Sequence, residues 1–156
     1  MKSQILLRAL LTGFIGGLFW CSISIGLYYF NFLEVSPKTY VLRSWLQSGW
    51  TDTWVGDIVS ILFVSILSMV VALIYYSLLK KVNSIWIGVL FGTVLWVFAA
   101  FVLHPLFSNV QSLFDFSIDT IISTLCLFVL YGTFIGYSIS FDYYDMVIKA
   151  DKASDP

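Results

Sequence analysis

The stretch IVSILFVSILSMVVALIYYSLL, residues Ile58–Leu79, holds no charged side chain and stops at Lys80-Lys81. An α-helix rises about 1.5 Å per residue, so a run of this length reaches across a hydrocarbon core about 30 Å thick. A transmembrane strand is a poor alternative, because the run is too long and does not alternate apolar with polar positions. The stretch therefore predicts a membrane-spanning helix.

Three further runs share its character. Ala9–Leu33 lies between Arg8 and Glu34, Ile85–His104 closes on Pro105, and Thr120–Phe141 lies between Asp119 and Asp142. An ionised side chain at a helix centre costs about 2.5–3.5 kcal/mol on insertion scales, so charge-free interiors are what true spans require. The expected spans are 9–33, 55–79, 85–104 and 119–141, in one membrane domain over 1–156, with 142–156 as a cytoplasmic tail. The first is not a signal peptide: a signal core is about 7–15 residues and ends at small residues. This run ends instead in Leu27-Tyr-Tyr-Phe-Asn-Phe-Leu33.

Composition agrees. The chain is 60% hydrophobic and 11% charged, against roughly 25% charged residues in a soluble domain. A net charge of -1 gives no basic surface for nucleic acid. Cys21 and Cys126 both fall in apolar runs without a nearby cysteine, which suits small buried hydrophobes better than a disulfide or zinc framework.

Lys and Arg concentrate on the cytoplasmic side of membrane proteins. With the N-terminus inside, Lys2, Arg8, Lys80, Lys81, Lys149 and Lys152 are cytoplasmic, and only Lys38 and Arg43 are outside. The chain is thus expected in the plasma membrane with both ends in the cytoplasm. Tyr28, Tyr29, Trp50 and Trp54 fall at the outer boundary, and Tyr75, Tyr76, Trp86, Tyr143 and Tyr144 at the inner one, where amphipathic rings settle.

The fold class expected is all-α, a four-helix membrane bundle, whose halves read either as two tandem hairpins or as apolar helices alike by composition alone. Each half reads as a Gly-rich span, a proline, a short amphipathic stretch, an aspartate and a second span. Gly16 to Trp20 and Gly92 to Trp96 share a Gly-x-x-x-Trp spacing, and Asp57 and Asp119 precede Ser60 and Ser123. Such a repeat would be parallel, about an axis along the membrane normal. Between 37 and 48 an outer interfacial helix is expected. Ser36 can cap it, Pro37 suits its first position, and Gly49 can close it. Tyr40, Val41, Leu42, Trp45 and Leu46 fall largely on one side of it, with Lys38, Arg43, Ser44 and Gln47 on the other.

Gly13, Gly16, Gly17, Gly88, Gly92, Gly132 and Gly136 are the candidate helix-packing residues. The spacings Gly88-x-x-x-Gly92 and Gly132-x-x-x-Gly136 let backbones approach closely, either within this bundle or across a homodimer face. Asp57, His104 and Asp119 form a candidate polar site at the outer mouth. The plain reading of the aspartates is that they meet the positive ends of helices, and of the histidine that it meets a negative end. The alternative is a vestibule for a cation or polar solute. No acid or base lies near a span centre, where coupled pumps usually carry one.

On the four-span layout, Gly13–Trp20, Pro37 with its aromatic follow-on, Lys80-Lys81, Gly88–Trp96 and His104-Pro105, the chain resembles the YqhR family of membrane proteins from Gram-positive bacilli. A more distant likeness is to YagU-type inner-membrane proteins, which share the plan of a Gly-rich span and a proline-containing outer loop. The resemblance implies a four-span membrane protein and carries over no activity, cofactor or site residue.

The function expected is that of a non-enzymatic structural, scaffold or regulatory membrane protein acting through helix–helix contacts. Its partners would be the lipid bilayer and either further copies or other membrane proteins. A small oligomeric transporter or channel with a polar outer vestibule is the alternative, and it requires a polar route inward from Asp57, Asp119 and His104. An intramembrane enzyme would need a convergent nucleophile and base or a metal cluster. No catalytic, cofactor-binding or metal residue is named.

Overall fold

The computed structural model describes residues 2–42, 53–79, 82, 84–103 and 116–154, and among these there is no strand. Helix α1 spans Lys2–Tyr29, the short α2 Pro37–Val41, α3 Trp54–Leu79 and α4 Ile85–Phe98. A π-helical turn, Ala99–Leu103, extends α4, and α5 spans Ile118–Ser154. Among the described residues, three segments are long and apolar enough to cross a membrane: Gln4–Tyr29, Trp54–Leu79 and Ile118–Ile148. A shorter apolar helix, Ile85–Phe101, accompanies them.

Helix α1 ends at Tyr29 rather than running on to Leu33. Asn31 takes a left-handed conformation, φ 61°. The Phe32 amide donates to the Leu27 carbonyl at 2.9 Å, and the Asn31 amide to Tyr28 at 3.0 Å. This is the crossed pair of bonds with which an αL residue closes a helix, and asparagine tolerates that conformation better than most residues.

The far end of α5 departs from expectation in the opposite direction. The helix does not stop near Phe141 but continues to Ser154. Between Tyr137 and Asp155 the sequence has neither glycine nor proline, so nothing breaks the backbone hydrogen-bond ladder.

Helix α2 starts at Pro37 as expected, yet Ser36 makes no side-chain cap bond. Its carbonyl instead accepts the Thr39 amide at 2.9 Å, and its hydroxyl is buried without a partner. Leu42 follows the helix and is buried. Residues 43–48 of the expected interfacial helix and the closing Gly49 lie outside the described residues.

Packing joins α1 most closely to α3 and α4 most closely to α5. These two antiparallel pairs meet mainly where α5 lies along α1 and α3. The shared core is Ala9, Ala72, Tyr75, Tyr131, Ile135 and Ile139, with Phe91, Leu95 and Trp20 against it. Large apolar side chains such as Leu11, Ile15, Ile66, Val70, Leu90 and Phe141 point outward. In water that arrangement would be strongly unfavourable, whereas in lipid it carries no penalty.

Candidate functional site

Both helix pairs close on small residues. A Cβ placed on Gly13 would stand 2.7 Å from Ala72 Cβ and 2.8 Å from the Ser68 carbonyl oxygen. One placed on Gly17 would stand 2.7 Å from Ser65 Cα. In the second pair, a Cβ on Gly88 would meet Thr133 Cα at 2.8 Å, and one on Gly92 would meet Val129 Cα at 2.8 Å. Gly132 faces the Gly92 backbone in return. The two crossings therefore share one plan: Gly13-x-x-x-Gly17 lies on Ser68-x-x-x-Ala72, and Gly88-x-x-x-Gly92 lies on Gly132-x-x-x-Gly136. With no hydrophobic drive between helices in lipid, such close backbone approach supplies the dispersion that holds them. Gly16 faces elsewhere, toward Phe134 and Ile135 of α5 at 3.1 and 3.2 Å.

A hydroxyl relay and a tyrosine tie the pairs together. Ser68 Oγ donates to the Gly13 carbonyl at 2.5 Å and lies 2.5 Å from the Tyr131 hydroxyl. With the serine proton committed to Gly13, Tyr131 is the donor in the second bond. Tyr75 is fully buried and stacks edge-on against Phe91 at 5.0 Å. Its hydroxyl would lie 2.9 Å from a Cβ on Gly136, and it has no hydrogen-bond partner. Each pair thus pushes one tyrosine against the small-residue crossing of the other.

At the end of the bundle that carries α2, Asp57 sits in the first turn of α3 and is buried. Its carboxylate accepts from the Tyr29 hydroxyl at 2.9 Å and from Lys38 Nζ at 3.3 Å on Oδ2, with Nζ also 3.3 Å from Oδ1. Lys38 was expected on the outward, polar side of α2. It turns inward instead, and the pair is largely buried, at 15% and 11% side-chain exposure. A buried carboxylate at a helix N-terminus gains from the helix dipole but still needs a counter-charge, and Lys38 supplies it.

Asp119 differs: it is exposed in the first turn of α5, and no hydrogen bond or ion pair joins it to Asp57. His104 lies outside the described residues. Beside Asp57, an open groove is lined by Tyr28, Tyr29, Asn31, Leu33 and Glu34. Glu34 ties the loop to α5: its amide donates to Thr120 Oγ1 at 3.3 Å, and its carboxylate accepts the Ser117 amide at 3.4 Å. At the other end, Arg8 pairs with Asp142 at 3.3 Å.

Two features of the sequence point to these ties. Asp57 at a span end needs a cation, and Lys38 is one of just two on its side of the chain. Ser68 and Tyr131 are polar groups deep in apolar runs and so need partners in lipid. Among the described residues, no three His, Cys, Asp or Glu side chains gather as a metal-ligand set.

The chain matches the family described as "Conserved membrane protein YqhR" over residues 2–154. It belongs to the YqhR family. Within that family it is similar to the "Uncharacterized protein YqhR" of Bacillus subtilis (strain 168), with 38% identity over 139 residues. Those residues are 89% of this chain and 78% of that protein. No solved structure matches. Membership in the YqhR family makes this a membrane protein and names no ligand. These comparisons do not show the YagU-type likeness.

Proposed function

We propose that this YqhR-family chain is a four-span protein of the plasma membrane, with both termini cytoplasmic, that works without catalysis as a scaffold or regulator through helix contacts. The observation that carries this reading is how its interior polar groups are spent. Ser60, Ser65 and Ser68 are buried on α3. Their hydroxyls bond to the carbonyls of Gly56 at 2.8 Å, Ile61 at 2.7 Å and Gly13. Serines used in this way line no polar route, while apolar flanks of α1, α3 and α5 stay open to lipid or to other helices. The six-to-two distribution of Lys and Arg supports the orientation, and α4, extended by its π turn, supplies the fourth span.

Chemical cross-linking in native membranes, followed by affinity purification, tests it. A defined homo-oligomer or a stoichiometric membrane partner is the expected result, and a strict monomer without partners would remove the reading. A small oligomeric transporter or channel is the second reading, favoured by the Lys38–Asp57–Tyr29 cluster with its adjoining groove. It predicts solute flux into vesicles reconstituted with the purified protein, abolished by Asp57→Asn.

A further inference from the structure

We propose that residues 30–42 form a strap across the α2 end of the first helix pair, latched by Lys38 on Asp57, and that this latch decides whether water reaches the α1–α3 seam beneath it. The strap begins at the αL turn on Asn31, which reverses the chain at the end of α1. It is seated by Leu33, Ser36 and Leu42, all buried, and α2 packs against α3. Between these anchors Glu34 bonds to Thr120 and Ser117 of α5, and the connection to α3 is ionic: Lys38 Nζ spans both oxygens of Asp57, and Tyr29 holds the same carboxylate.

Helix register shows what lies below. Gly17 contacts Ser65 in this antiparallel pair, so two turns further along α1, Ile25 stands level with Asp57, with Cys21 one turn deeper. Ile25 and Cys21 are both buried. The seam under the strap is therefore closed while the latch holds.

The physics makes the latch asymmetric. Removing one partner of a buried pair leaves the other charge uncompensated. If Lys38 is neutralised, Asp57 stays fixed on α3 with the Tyr29 hydroxyl but without its counter-charge, and water drawn to it lifts the strap. If Asp57 is neutralised, Lys38 has a long flexible stem and can swing out to water by itself. Neutralising both removes the stranded charge and lets the strap close again.

The experiment places one reporter thiol at Ile25→Cys in the full-length chain, with Cys21→Ser and Cys126→Ser, and measures its rate of reaction with a membrane-impermeant thiol reagent in intact cells. The Lys38→Gln variant is expected to react at least about tenfold faster than the parent. Asp57→Asn should lie between, and the Lys38→Gln/Asp57→Asn double variant should return close to the parent rate. Equal rates in all four proteins, or a double variant at least as reactive as Lys38→Gln, overturn the proposal. The strap itself rests on the ion pair; only the side of attack rests on the proposed orientation. The same ordering seen solely from the cytoplasmic face of inverted vesicles would overturn the orientation and keep the latch.

Discussion

The hydroxyl of Tyr131 on α5 lies 2.5 Å from Ser68 Oγ on α3, and Ser68 donates its own hydrogen bond to the Gly13 carbonyl on α1. Three helices, from both halves of the chain, share one buried relay. Interhelical hydrogen bonds in membranes average about 0.6 kcal/mol and reach about 1.7 kcal/mol. Buried side-chain bonds linked in series belong at the upper end. Tyr131→Phe and Ser68→Ala should each lower stability by about 1 kcal/mol. Unfolding in mixed micelles should show the double variant losing less than the two singles combined.

Tyr75 offers the matching contrast. It is as deeply buried as any residue of the core, but its hydroxyl has no partner. An unsatisfied buried polar group costs about 1–3 kcal/mol, so removing it removes the cost. Tyr75→Phe should leave stability unchanged or raise it, with the Phe91 contact retained. A loss as large as that of Tyr131→Phe would mean that the hydroxyl has a partner in the membrane.

The glycine crossings predict a graded series. A Cβ at Gly92 or Gly132 meets main-chain atoms, which cannot turn aside as a flexible side chain can. Forced overpacking of this kind typically costs about 1–3 kcal/mol, so Gly92→Ala and Gly132→Ala should lower the midpoint of thermal unfolding. Gly26 has nothing within 4 Å, and Gly26→Ala should be neutral or slightly stabilising. If all three substitutions behaved alike, the packing at α4–α5 would not be the cause.

How much of this was legible follows from the range over which each feature is decided. The apolar runs are local properties, and hydrophobic length alone located α3. The extension of α5 was also readable, since no glycine or proline interrupts 137–155. Partner choice was not. Gly88-x-x-x-Gly92 carries the same letters whether it meets Gly132 in its own chain or a second copy, and only the packed structure sets it on α5. Ser68 and Tyr131 are 63 positions apart, and Lys38 and Asp57 are 19 apart. Each residue announces a need for a partner, but the sequence leaves open which one meets it. Lys38 differs for a local reason: the amphipathic turn predicts its basic residue facing water, while the buried carboxylate one helix away outweighs that preference.

The end of α1 supplies a last prediction from a single dihedral. Asn31 sits at φ 61°, where a side chain branched at Cβ crowds its own backbone. Holding an ordinary L-residue there costs about 1–2 kcal/mol, and glycine escapes that cost. Asn31→Gly should therefore be tolerated, while Asn31→Val should destabilise by about that amount. The damage should also have a definite place. The αL turn returns the chain toward Leu33 and α2, so a turn that no longer closes displaces Lys38 from Asp57. Asn31→Val should raise the labelling rate of the Ile25→Cys reporter toward that of Lys38→Gln, and Asn31→Gly should leave it at the parent value. A valine variant that melts earlier but labels no faster would separate helix termination from the latch, showing that the loop reaches Asp57 without the turn.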